Sequence, residues 1–156
     1  MEDIQRAFYK SPIGLLEIGG TATEIWSLGF VDKKTEAGSS RSAALRQCRR
    51  ELAEYFRGRR KTFSVKLRLE GTEFQKKVWN ELVKVGYGRT ASYRDIALAV
   101  GRPKAVRAVG NANGSNPISI IVPCHRIIGT SGKLVGYGGG LWRKEWLLKH
   151  ERGKTR

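Results

Sequence analysis

Acidic residues are scarce in this chain: 14 Asp and Glu face 30 Lys and Arg, for a formal net charge of +16. That deficit points to a polyanionic partner, with nucleic acid ahead of an anionic membrane surface, and leaves a general solubility or thermostability surface as the plainer alternative. Cysteine is scarcer still. Cys48 and Cys124 alone do not make a disulfide framework, and with only His125 and His150 no spacing reads as a zinc site, so neither a metal nor any other cofactor is expected. No apolar run approaches the roughly 18 residues that a membrane-spanning helix needs, so no membrane partner is expected. The start, Met1-Glu2-Asp3-Ile4-Gln5-Arg6, lacks the basic opening and apolar stretch of a secretory signal, and a cytoplasmic location is expected.

What is present is enough apolar material, 40% of residues, for one ordinary domain or two small lobes. Strand-like runs at 7–9, 14–18 and 24–31, broken by Ser11-Pro12 and Gly19-Gly20-Thr21, predict an antiparallel meander. A loop over 32–40 leads into a helix over 41–56, where Leu45, Cys48, Leu52, Tyr55 and Phe56 recur at helical spacing. Cys48 therefore reads as a small core hydrophobe, not a nucleophile. After an extended stretch over 62–69, a boundary near Glu70-Gly71 divides an N-terminal α/β lobe (1–70) from a mainly helical lobe (71–156), an α+β chain.

In the second lobe, Thr72 and Gln75 form a capping box for a helix through Lys84. Ser92 and Asp95 start a short helix from Tyr93 to Val100, Gly101 stops it, and Pro103 is placed to open another running to about Asn113. Two short helices joined by a three-residue turn containing glycine predict a helix-turn-helix. On the second helix Ala105, Val106 and Val109 are expected to face inward. Lys104, Arg107, Asn111 and Gly114 are expected together on the outer face, which is polar, basic and low in bulk, as a surface facing nucleic acid should be.

The densest chemistry is at 121–128, IVPCHRII, where Cys124, His125 and Arg126 sit inside an apolar run. A cysteine is a strong nucleophile only as thiolate, so it needs a base or a positive neighbour. Adjacent side chains in an extended segment point to opposite faces, so His125 would act through a turn at Pro123 or through a bridging water. An imidazole so used needs a third group to orient it, and the helix over 141–151 offers Glu145 and Glu151. Between them, residues 131–140 hold five glycines and Tyr137, a stretch that permits close approach to a flat ligand such as a base.

Taken together, FQKKVWNEL, YGRTASYRDIA, GRPKAVRAVGNANGSNP, IVPCHRII, GYGGGL and KEWLLKHE resemble, in order and spacing from about Phe74 to Glu151, the O6-alkylguanine-DNA alkyltransferases. The first lobe matches only in outline, as the variable α/β lobe of that family. The resemblance implies single-turnover repair of duplex DNA, in which Cys124 takes the alkyl group of O6-alkylguanine, and of O4-alkylthymine, and keeps it. It implies His125 as base through a water, Glu151 rather than Glu145 as its orienter, Asn116 bracing the acceptor turn, and Tyr93 donating to guanine N3. Arg107 would fill the duplex where the nucleotide is extruded, with Lys104, Gly110, Asn111 and Gly114 at the DNA surface. The carbonyls of Cys124 and Ile127, the amide of Gly138 and the ring of Tyr137 would hold the base. Relatives with a zinc in the first lobe use Cys and His ligands that are lacking here, so no metal is implied. A monomer is expected. A regulator built on the helix pair would leave PCHR unexplained, and a cysteine hydrolase would leave Arg107 unexplained.

Overall fold

The structure is a computed structural model and describes residues 3–34 and 41–153. It divides into two compact units, Met1–Leu69 and Glu70–Arg156. In the first, β1 (Gln5–Ser11), β2 (Gly14–Gly20) and β3 (Ile25–Val31) form an antiparallel sheet in that order. The Pro12-Ile13 hairpin is tied by the Ser11 hydroxyl, which donates to the Gly14 carbonyl at 2.7 Å. Helix α1 (Ala43–Phe56) starts at Ser42, whose side chain accepts from the Leu45 amide. Its stripe of Leu45, Cys48, Leu52 and Tyr55 is wholly buried and packs on the sheet side that presents Leu16 and Ile18. Truncating one of these leucines to alanine should cost about 2–5 kcal/mol. Burial pushes the Cys48 thiol up to about 12, which fits a core position. The predicted extended stretch joins the sheet through a parallel bridge between Leu67 and Ile25. Residues 35–40 of the predicted loop lie outside the described residues.

The second unit opens with α2 (Glu73–Val83), whose capping box is complete, Thr72 and Gln75 each bonding the other's backbone. Its inner face, Val78, Trp79 and Leu82, packs on α3 (Tyr93–Ala99) and α4 (Val106–Gly114). The Trp79 indole donates to the Ala112 carbonyl at 2.8 Å, joining α2 to α4 through a buried bond. Helix α3 has the Ser92–Asp95 capping box and ends at Gly101, whose φ of 76° is the left-handed conformation that glycine adopts without penalty. A two-residue parallel pair, β4 (Ala91–Ser92) with β5 (Ile127–Ile128), and a last helix, α5 (Leu141–Glu151), complete the unit.

The helix pair departs from expectation in its connection. Pro103 does not open α4; it lies in a turn, closed by the Ala105 amide on the Arg102 carbonyl at 2.9 Å, and the helix begins at Val106. The connection is therefore 100–105, longer than the expected three residues, and Lys104 projects from this turn rather than from the helix face. The inner face runs through Val109, Ala112 and Asn113, while Val106, expected inside, falls in the first turn and is 39% exposed. Proline suits a turn as well as a first helical position, and the sequence alone does not separate the two.

Candidate functional site

The acceptor turn is built by backbone geometry that favours no regular element. The Ile121 amide bonds the Ser119 carbonyl at 2.8 Å around Ile120, which has a φ of 72° and is the only non-glycine residue with positive φ among those described. A β-branched residue there costs about 1–3 kcal/mol and persists only where the surroundings impose it. Ile120 is 1% exposed, so its own side-chain burial is part of that constraint. A second three-residue turn follows at Pro123 (φ −81°, ψ 65°), with the Cys124 amide on the Val122 carbonyl at 2.8 Å. Asn116 braces both turns: its amide donates to the Val122 carbonyl at 2.8 Å and its carbonyl accepts from the Ile118 amide at 3.0 Å.

These turns deliver Cys124, His125 and Arg126 as a single 3-10 turn rather than an extended segment. The expected opposition of Cys124 and His125 across a strand is thereby replaced by the alternative, a turn at Pro123. The His125 Nε2 lies 2.8 Å from the Glu151 carboxylate, both side chains fully buried. A carboxylate only accepts, so Nε2 carries the proton and Nδ1, which makes no hydrogen bond within the described chain, keeps its lone pair. Burial drives the His125 pKa down against the pull of Glu151, so the ring is neutral. Glu145, the other glutamate considered, is half exposed and pairs with Lys149 at 2.8 Å.

Arg126 supplies a contact with no local signal in the sequence. Its Nε donates to Glu151 Oε1 at 2.8 Å, its Nη2 to Oε2 at 3.0 Å, and its Nη1 to the Val85 carbonyl at 2.6 Å. Burial pushes the Glu151 carboxyl up, but the hydrogen bonds and charges of His125 and Arg126 together outweigh it and hold the group well below the usual carboxylate range. One carboxylate thus orients the imidazole and neutralises a buried guanidinium.

Burial raises the Cys124 thiol, while the Asn116 side chain and the charge of Lys144 pull the other way. Lys144 is a second residue that sequence reasoning passed over, in a helix where a lysine reads as solvated. It is fully buried, its ammonium donates to the Val135 and Gly136 carbonyls at 2.9 and 3.1 Å, and burial lowers its pKa to about 8. A third is Asn113, whose amide lies 3.5 Å from the Cys124 carbonyl and whose Oδ1 is buried without a hydrogen bond.

The parallel rung of Ala91 with Ile127 and Ser92 with Ile128 sets Tyr93 beside the acceptor turn. The Tyr93 hydroxyl donates to the Val135 carbonyl at 3.0 Å, and a Cβ on Gly110 would meet its ring at an ordinary 3.9 Å. Tyr137 keeps its hydroxyl buried, and burial raises its pKa well above the ordinary value. At Gly138 a Cβ would meet nothing within 4 Å. Ile127 is buried next to the turn, whereas Lys104, Arg107, Asn111 and Gly114 are exposed, the last three on α4.

A cysteine on a tight turn, a neutral imidazole beside it and a buried carboxylate behind that imidazole define a protein of thiol chemistry, set in a lobe of packed short helices. The class narrows on comparison with known proteins. The chain belongs to the 6-O-methylguanine DNA methyltransferase family: the DNA binding domain of that family matches residues 73–153 and its ribonuclease-like domain matches residues 4–69. It is 49% identical over 150 residues to the methylated-DNA–protein-cysteine methyltransferase of Methanosarcina acetivorans, covering 93% of this chain and 96% of that one. Among solved structures it is similar to Mycobacterium tuberculosis O6-methylguanine methyltransferase, with a TM-score of 0.88, 42% identity and coverage of 99% of this chain and 96% of that chain. Mycobacterium tuberculosis OGT in complex with DNA gives a TM-score of 0.86 at 43% identity over 97% of this chain and 93% of that chain.

Proposed function

We propose that this chain repairs duplex DNA by taking the alkyl group of O6-alkylguanine onto Cys124 in a single, unregenerated turnover, one copy of the chain being the acting unit. The reading is carried by one observation, the buried thiol of Cys124 on a rigid turn shared with a His125 whose Nδ1 is unbonded and whose Nε2–H is held by Glu151. Because burial disfavours the thiolate in the resting protein, the thiol must lose its proton as substrate arrives. His125 Nδ1 receives that proton through a water. The Sγ–carbon bond forms as the carbon–O6 bond breaks, and the electron pair of the broken bond passes to the guanine. A hydrogen bond from Tyr93 to N3 stabilises that charge until the base takes up a proton.

A stacked guanine does not present its O6 substituent to a buried thiol, so the nucleotide is flipped out. Arg107 on α4 takes its place in the duplex. Gly110 and Gly114 allow close backbone approach to the minor groove, flanked by Lys104 and Asn111. The Cys124 and Ile127 carbonyls, the Gly138 amide and Tyr137 line the base. Tyr93 has a single proton, which it donates to the Val135 carbonyl in the free chain, so it engages N3 only when the 129–140 connector releases it. The test is intact mass after incubation with a duplex oligonucleotide bearing O6-methylguanine. A gain of about 14 Da, one methyl for one proton, located on Cys124 and lost in Cys124→Ala is expected; an unchanged mass refutes the reading.

A further inference from the structure

The outer face of α1, in the first unit, has no part in this chemistry. Arg46, Arg49 and Arg50 stand there at i, i+3 and i+4, all exposed, and with Tyr9 and Lys10 of β1 and the small Ala53 they line a cleft of about 420 Å³. Neighbouring arginines are put to other use. Arg6 pairs with Glu17 at 2.7 Å, Arg60 with Glu54 at 2.8 Å, and Arg68 with Glu24 at 3.8 Å. Arg46, Arg49, Arg50 and Lys10 make no ion pair or side-chain hydrogen bond among the described residues. Like charges three and four apart on a helix repel one another and destabilise it. No carboxylate in the cleft offsets that cost.

We propose that this cleft is a second DNA-contact surface, in which the three arginines and Lys10 grip the phosphodiester backbone of duplex DNA without reading its sequence. Guanidinium forks match phosphate oxygens in pairs, which suits a backbone of regularly repeated phosphates better than scattered carboxylates. The apolar stripe of α1 is spent on the sheet, so the helix has no greasy face to lay into a bilayer. Tyr9 is held against the Phe56 ring, with centroids 5.9 Å apart, and Ala53 leaves room for close approach. The inference rests on the DNA-binding part of the reading above and not on alkyl transfer.

The test compares the full chain with Arg46→Gln/Arg49→Gln/Arg50→Gln, and separately with Lys10→Gln, binding a lesion-free duplex oligonucleotide across a salt series. Each phosphate contact adds roughly 0.9 to the slope of log affinity against log salt, so the triple variant should lose about 2–3 from the slope and Lys10→Gln about 1. Methyl transfer to Cys124 at saturating oligonucleotide should be unchanged in both. Unaltered slopes overturn the inference, as does an unaltered DNA slope accompanied by lost binding to phosphatidylserine vesicles, which would mark the cleft as a membrane contact. Failure of alkyl transfer in the parent chain would sink the catalytic reading and leave the slopes to decide this one.

Discussion

Replacing Glu151 by alanine and by glutamine separates the two tasks of its carboxylate. Alanine leaves the Arg126 guanidinium, 8% exposed, without its counter-charge and leaves the His125 Nε2–H without an acceptor. Breaking a buried pair from one side costs about 3–5 kcal/mol, and the orphaned imidazole donor adds to it. Against a total stability of about 5–15 kcal/mol, this should lower the melting temperature by about 10 °C or more. Glutamine keeps the volume, and its carbonyl still accepts from Arg126, so the fold should survive better. With that carbonyl at the Oε2 position, where both His125 Nε2 and Arg126 Nη2 donate, the ring keeps its tautomer, but the negative charge that stabilises the imidazolium formed on proton uptake is gone. Nδ1 is then a weaker base for the thiol proton, and the transfer rate should fall by up to about 10²–10⁴, the usual worth of a positioned base. Single-turnover transfer to Cys124, read by mass, and thermal melting measure the two effects. Glu151→Gln transferring at the parental rate, or Glu151→Ala melting at the parental temperature, would refute the reasoning.

Acid should destabilise the protein in two stages. His125 is held below its ordinary 6.5, so the unfolded chain binds its proton first and stability declines as pH falls below that value. Glu151 is held below its ordinary 4.5, so its contribution is complete above that value and is lost further into acid; a flat denaturation midpoint from pH 7 down to 4.5 would contradict the first stage, and a flat one below 4.5 the second. Lys144→Met removes the cation that favours the thiolate, so the pH profile of Cys124 alkylation by iodoacetamide should shift to higher pH, and superimposable profiles would exclude that influence. Asn116→Ala removes one of the two donors to the Val122 carbonyl and leaves the Ile118 amide without its side-chain acceptor, and should cost about 1–3 kcal/mol in denaturant unfolding while slowing transfer; full activity would show that the turn holds without the brace. Methylated Cys124 overfills a tightly packed site, so the spent protein should melt lower by about 1–3 kcal/mol of stability, and an equal or higher melting temperature would contradict this.

Local signals were legible in the sequence. The capping boxes at Thr72–Gln75 and Ser92–Asp95 and the glycine stop at Gly101 formed where their spacing placed them, because each is settled within one helical turn. The antiparallel meander and the helical second lobe were legible from periodicity and breakers. The start of α4 was not, because the Arg102–Ala105 turn competes with a helix opened by Pro103 on nearly equal local terms. Lys144, Asn113 and the pairing of Arg126 with Glu151 were missed for another reason. Their partners lie on other elements or in the glycine-rich connector, and a basic or amide side chain in a strongly basic chain reads as solvated until tertiary packing buries it. The positive φ of Ile120 left no trace in residue type at all, since the position is imposed by the turns on either side of it.

The rung that joins Ala91–Ser92 to Ile127–Ile128 divides the site into a frame and an aperture. Backbone hydrogen bonds fix the separation of Tyr93 from the acceptor turn, and no change of side chain at those four positions resets it. The far wall is different: the connector over 129–140 is held to this frame through its Val135, Gly136 and Gly139 carbonyls, by side-chain bonds from Tyr93, Lys144 and Arg143. Inherited variation in tolerance for larger adducts therefore has one inexpensive place to accumulate, the connector, while the distance over which the bond is exchanged stays constant.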